Sequence, residues 1–445
     1  MECVQTRKRT ISRSLSNRAQ KKERKLNLRT GCKIFFFLAV LSGLIQIFSY
    51  IPRQRSHEKN GNYWPYFFNE LPEDSVDVIF MGSSHSNSTF IPEIIDDILD
   101  INSIHVNTSG ESIYQTALEY REVLRHQQPR MVIIETYPIF DGLTQEDLKP
   151  WNYSFFFAVP SIVRQMLYAH QFFSIENLIY FYLPYTLYHA DWKKPGSIAQ
   201  RVEETVTALI SGKGQLELAH KGYFNYMESL PPLKAGVDED DPPAVCAVAD
   251  LKQRLETTKE IMNLDSENAP ALMFVEAPQL VNEFEACRRE VIEAIRNWGG
   301  DYQVLLQDQE RPRLWFGDHE HMTQFGAVIA SVELARLLAE KLDLKVDTRA
   351  LAYYQTYFFN DYKINRDGRE VEVNLIPYDG EAISDLYFTW TLHRDGEEIE
   401  KIEGLRQNEL TVTLPASDGK YYFHVEIYNP AGAYLLRGNL NIPVE

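Results

Sequence analysis

Between Val76 and Leu342, short and uniformly apolar runs alternate with longer helical patterns, and this alternation constrains the fold more than any other feature of the chain. The runs are Val76 to Met81 (VDVIFM), Ile104 to Asn107, Met131 to Thr136 (MVIIET), Ala271 to Glu276 and Tyr302 to Leu306. A short run without polar alternation suits a strand covered on both faces, as in a parallel sheet. Tyr114 to His126, Leu251 to Met262, Phe284 to Trp298 and Gln324 to Leu342 carry helical patterns between and after them. This order predicts a doubly wound, three-layer α/β/α domain over residues 76–346.

Two further regions attach to that frame. The aromatic-rich, largely helical stretch from about 151 to 233 is too long for a connector and is expected to cap the sheet. Phe172 to Leu187 within it is apolar, but Glu176, Asn177 and Pro184 interrupt it, which favours a buried cap over a second membrane element. From Ala352 the period changes to two, in VEVNLI, LYFTWTLH, ELTVTL, KYYFHVEIY and YLLRGNLNI, with Asp-Gly pairs between them. That texture predicts an antiparallel β-sandwich over 352–445, of immunoglobulin-like size.

Ile34 to Ile51 (IFFFLAVLSGLIQIFSYI) contains no charge and lies between Lys33 and Arg53. As a helix it would extend roughly 27 Å, close to the thickness of a hydrocarbon core. The basic flank 1–33 marks the cytoplasmic side, so 34–51 reads as a single signal-anchor. Residues 52–75 would be a stalk, and the body would lie outside the cytoplasm. A cleaved signal peptide fits less well, because the basic lead is long and no small-residue cleavage pattern follows.

The net charge of −18 is unevenly spread. Thirteen Lys or Arg and two Glu precede residue 56, leaving 32 basic against 61 acidic residues in the rest. An acidic body repels polyanions, which argues against nucleic acid as a partner. The four cysteines, Cys3, Cys32, Cys246 and Cys287, form no metal-ligand spacing, so no zinc site is expected. Cys246 and Cys287 either pair, if the body is outside the cytoplasm, or remain two separate thiols.

Two short blocks carry the chemistry. Gly82-Ser83-Ser84-His85-Ser86 follows the first strand directly, which puts the Ser84 hydroxyl at the carboxyl end of the sheet, where open α/β sheets bind ligands. Asp318-His319-Glu320-His321-Met322-Thr323-Gln324-Phe325-Gly326-Ala327 precedes the last helix. An Asp three residues before a His can orient the ring, which then serves as general base for a serine. Asp318, His319 and His321 are also potential metal ligands, but no further cluster supports a metal, and none is expected.

With both blocks present, the chain resembles the SGNH/GDSL hydrolase superfamily, in its membrane-anchored bacterial branch. Asn107-Thr108-Ser109-Gly110 resembles the family's second block, and Pro129 to Glu135 its third strand. The resemblance runs from Val76 to Leu342 and implies a flavodoxin-like SGNH-hydrolase fold with no cofactor. It implies Ser84 as nucleophile, His321 as base, Asp318 as the acid that orients it, and the N–H groups of Ser84 and Gly110 as oxyanion donors. Two positions depart from the pattern. Ser83 stands where the founding motif has Asp, and Glu135-Thr136-Tyr137-Pro138 replaces the GxND block, which leaves Asn107 as the candidate side-chain oxyanion donor.

His85 is expected to line the cleft, and His189 and Trp192 in the cap either contact a sugar or acyl chain or serve the core. The expected function is acyl-ester chemistry on a cell-surface or secreted glycan, as O-acetyltransferase or O-acetylesterase. The substrate partner is thus a glycan or an acylated small molecule. The alternative is an inactive SGNH-fold surface protein for glycan binding or envelope assembly.

Overall fold

The structure is a computed structural model that describes residues 30, 33–37, 40–41, 64–140, 149–186, 219–224, 248–262, 270–280, 285–307, 311–378, 386–415, 418–432 and 434–442. In chain order the first half contains α1 (Trp64–Asn69), β1 (Val78–Met81), α2 (Ser84–Thr89), α3 (Pro92–Leu99), β2 (Ser103–His105), α4 (Ile113–Val123), β3 (Met131–Glu135) and α5 (Tyr137–Phe140). The stretch expected to cap the sheet contributes α6 (Ser154–Ala158), α7 (Ile162–Phe172) and α8 (Leu178–Tyr182). The α/β unit then continues with α9 (Val248–Met262), β4 (Ala271–Glu276), α10 (Glu285–Asn297), β5 (Asp301–Val304) and α11 (Gln324–Leu342).

Strands β1 to β5 form one parallel sheet in the order β2-β1-β3-β4-β5. The order reverses between β1 and β3, and a crevice opens at such a point beyond the carboxyl ends of the strands. Every residue of β1 and β3 is buried, as expected for strands covered on both faces. Successive side chains separate into two cores. Val78, Phe80 and Ile133 join the face covered by α3 and α11, whereas Ile79, Met81, Val132 and Ile134 join the face covered by α4, α9 and α10.

Two expectations are corrected near the edges of this unit. Residues 64–69, expected in the stalk, form α1, with Trp64 fully buried against Phe155 of α6 at 4.7 Å. Trp64 and Phe67 are too large and apolar to stay in solvent, so the body begins at residue 64 or before it. After α11, helix α12 (Thr348–Gln355) straddles the expected boundary at 352, and Asp347 caps it by accepting from the N–H groups of Arg349 and Ala350.

Beyond α12 lie β6 (Phe359–Asp367), β7 (Glu370–Pro377), β8 (Tyr387–Arg394), β9 (Glu397–Leu405), β10 (Glu409–Thr413), β11 (Tyr421–Tyr428) and β12 (Tyr434–Asn441). They form two antiparallel sheets, β10-β7-β6 and β12-β11-β8-β9. A constant-type immunoglobulin sandwich places its fourth strand with the first, second and fifth. Here the fourth strand, β9, pairs with the third instead.

The sandwich is not a separate bead. Its core residues Phe359, Phe388 and Trp390 belong to the same apolar cluster as Phe325 and Val328 of α11. Trp315 Nε1 donates to the Phe359 carbonyl (2.8 Å), and the Arg437 N–H donates to Gln324 Oε1 (2.9 Å).

The described cap segments are helical, and 219–224 includes the short helix Ala219–Gly222. His189 and Trp192 lie outside the described residues, as do Cys3, Cys32 and Cys246. Cys287 on α10 is buried and disulfide-bonded. Most of the run 34–51 also lies outside the described residues. Among those described, no helix is long and apolar enough to cross a membrane.

Candidate active site

Ser84 stands at the first position of α2, a short helix directly beyond β1 that is absent from the helical patterns of the sequence. The Ser83 side chain caps this extra helix by accepting from the His85 N–H (3.3 Å). Gly82 precedes it with φ +127°, and a Cβ there would meet the Glu135 Cβ at 2.9 Å. Only glycine allows the β1 end to pass so close to β3, so residue 82 fixes where the serine emerges.

The second block is held by its own backbone. Phe316 and Met322 form an antiparallel bridge, and the Gly317 N–H donates to the His321 carbonyl (2.9 Å). The Thr323 hydroxyl donates to the Leu314 carbonyl (2.6 Å). A Cβ at Gly326 would lie 2.6 Å from the Trp315 carbonyl oxygen, so a glycine is needed for α11 to start against this loop. The G-A pair that ends the block therefore has a packing reason.

These two loops, more than two hundred residues apart, meet. Ser84 Oγ lies 2.7 Å from His321 Nε2, and His321 Nδ1 lies 2.8 Å from Asp318 Oδ2. Asp318 Oδ1 also accepts from the backbone N–H groups of His321 (2.7 Å) and Glu320 (2.9 Å). Burial pushes the Asp318 carboxyl up, but the His321 ring and those two N–H groups outweigh it and hold it at about 2. An ionised Asp318 fixes the tautomer: Nδ1 carries the proton, and Nε2 accepts from the serine hydroxyl.

Behind this line lies a network that no motif in the sequence announces. Tyr137, just after β3, stacks on His85 with ring centroids 3.6 Å apart and donates its hydroxyl to Glu320 Oε1 (2.8 Å). His85 Nε2 is 3.7 Å from Glu320 Oε2, and its ring centroid is 4.7 Å from that of His321. Burial lowers the His85 pKa to about 4, so the ring is neutral at neutral pH. The expectation of a cleft-lining His85 is thus corrected: the residue is 1% exposed and packs behind His321. Below it, the Glu135 carboxyl accepts from the Tyr137 N–H (2.9 Å), and burial raises its pKa to about 8.

Asn107 is also placed differently from the expectation of an oxyanion donor. Its Nδ2 donates to the Ser83 carbonyl at 2.7 Å, so the side chain ties the loop that carries Ser84 to the end of β2. The turn that carries Gly110 is supported from two sides. Glu111 accepts from the Thr108 N–H (2.8 Å) and the Thr116 hydroxyl (2.6 Å), and burial pushes its carboxyl well above the usual carboxylate range. Asn152, fully buried at the root of the cap, donates to the carbonyls of Ser109 (3.3 Å) and Gly110 (3.2 Å).

The group able to hold a metal among the described residues is His85, Glu320 and His321, with ligand atoms within 4.8 Å of one another. Both ring nitrogens of His321 already face Ser84 and Asp318, so a cation there would displace the serine hydrogen bond. His319 is not part of this group.

No family model matches the chain, and no curated protein matches it. Among solved structures, one that is similar is that of a gut microbial diltiazem-metabolizing enzyme. It shares 12% identity with this chain, covers 75% of it and 71% of its own length, and has a TM-score of 0.22. A likeness of that size leaves the chemistry to be read from this chain's own residues.

Proposed function

We propose that the chain is an SGNH-type serine acyl-ester enzyme, anchored in a membrane by residues 34–51, with its α/β body outside the cytoplasm. The observation that carries the reading is the continuous hydrogen-bonded line Ser84–His321–Asp318. Ser84 Oγ attacks an ester carbonyl while His321 Nε2 takes its proton. The ionised Asp318 holds the resulting imidazolium. The N–H groups of Ser84 and Gly110 stabilise the developing oxyanion. His321 then protonates the leaving alcohol, and water or a sugar hydroxyl takes the acyl group from Ser84.

Two observations support an extracytoplasmic glycan as the substrate. The disulfide at Cys287 suits an oxidising compartment. A cleft of about 270 Å³ between the α/β unit and the sandwich is walled by Tyr353, Tyr354 and Tyr357, with Glu93 and Arg437 among its lining residues. Gln324 of the second block lines it too, whereas Ser84, Asp318 and His321 do not. Aromatic walls with a few charged groups suit a sugar ring.

The test is labelling of the full chain in membranes with a fluorophosphonate. Modification at Ser84 that is lost in His321→Ala supports the reading, and no modification at Ser84 overturns it. One observation favours the inactive alternative: the Asn107 amide is committed to Ser83. Acetate release from an acetylated oligosaccharide, or acetyl transfer to a free one, excludes that alternative.

A further inference from the structure

Helix α7 breaks the rule for a surface helix. Its inner face buries Tyr168, Ala169 and Phe172 against the cap core. Its outer face is also apolar for the first two turns: Ile162 is 61% exposed, Val163 62% and Leu167 62%, with Met166 beside them. Ile175, Ile179 and Tyr182 are exposed past the turn and along α8, where the Tyr182 hydroxyl meets His170 Nε2 of α7 (2.7 Å). A helix apolar on both faces has a second apolar neighbour. Outside the 34–51 run, eleven large apolar residues are exposed among the described residues, and seven of them lie here. Concentration of this kind marks an interaction surface rather than chance exposure.

The chain itself indicates the partner. Residues 150–186 hold a single carboxylate, Glu176, where an even spread of the chain's 63 would put about five. The apolar run ends at Ile51 and the body begins no later than Trp64, so the intervening chain reaches at most about 45 Å. Trp64 packs on Phe155 of α6, the helix immediately before α7. The tether therefore enters the body beside the exposed face, and tethering makes even weak docking effective.

We infer that the outer face of α7 and α8 lies in the headgroup region of the same bilayer that holds residues 34–51, so the cap rests on a lipid surface. This rests on the membrane-anchor reading above. The test places one fluorescent amino acid at a time in the full chain, reconstituted in phosphatidylcholine–phosphatidylglycerol vesicles containing spin-labelled lipid. The positions are 37 in the apolar run, 167 and 179 on the cap, and 399 on the sandwich. Lipid-borne quenching is expected to remove about half or more of the signal at 37, 167 and 179, and about a tenth or less at 399. In Val163→Asp/Leu167→Asp, quenching at 179 is expected to fall to the level of 399 while that at 37 persists and Ser84 labelling is unchanged.

Quenching at 37 but not at 167 or 179 overturns the docking and leaves the anchor intact. Loss of quenching at 37 overturns the anchor reading and this inference with it. Protection of 167 from aqueous iodide without lipid quenching means that protein covers the face, as another part of the chain or a second copy, and also overturns the inference.

Discussion

The parallel sheet and the sandwich are both built from strands, yet they use polar residues in opposite ways. In β11 the burial alternates residue by residue, so polar side chains point to solvent and apolar ones to the core. In β1 and β3 every residue is buried, and polar groups collect at and beyond the carboxyl ends of the strands. Ser83, His85, Asn107 and Glu135 are all there, each at most 2% exposed and held by specific partners or by stacking. The contrast teaches that a sheet covered on both faces can keep its chemistry only at its end, whereas a sandwich has no such buried edge to supply.

The sharpest way to break this contrast is Ser84→Ala. It is expected to reduce ester turnover by at least about 10⁴-fold, with no change in melting temperature. A stability loss of the same order would mean that Ser84 serves packing. Trp390→Ala in the sandwich is expected to do the reverse. It should cost about 3–5 kcal/mol in denaturant unfolding and leave the Ser84 labelling rate of the folded fraction intact. Because Trp390 shares a core with α11, a single unfolding transition is expected. Two transitions would make the sandwich independent.

Glu135→Gln tests the cost of a buried carboxyl at the sheet end. Folded Glu135 keeps its proton up to about pH 8, while the unfolded side chain releases it near 4.5. Stability therefore declines as pH rises through that window. The Gln variant is expected to match the parent below pH 4 and to exceed it by about 4 kcal/mol at pH 8. Equal pH slopes in urea unfolding of parent and variant would remove the charge argument. The smallest expected effect is that of Asn152→Ala, about a tenfold slower labelling of Ser84 with the fold retained, through loss of the support under Gly110. An unchanged rate would show that the turn holds its shape without the cap.

The sheet was legible because burial on both faces writes itself as uninterrupted apolar runs. Ala271–Glu276 and Gln324–Leu342 are the residues expected, and the other sheet strands differ by one or two positions at their ends. In the sandwich, β9 escaped notice because all but two of its residues are exposed, so Glu397–Leu405 reads as a charged loop. Strand β6 is likewise masked by its charged and polar residues. The contact between Asp318 and His321 was legible because a spacing of three residues reflects local geometry, whereas the approach of Ser84 to His321 depends on the topology. His85 behind the ring, Tyr137 against it and the Asn107 amide on Ser83 were not legible, since each depends on which loops the topology brings together.

The Asn152 side chain has a further consequence for anyone who wishes to reshape this protein. It sits in the inserted segment yet holds the backbone of the 109–110 turn, so the insertion is not a detachable lid. Chimeras that exchange the segment with another should keep residues 149–156 with the parent scaffold and place the junction after Val159. A graft cut earlier would exchange, along with the inserted helices, the strut that holds the 109–110 turn.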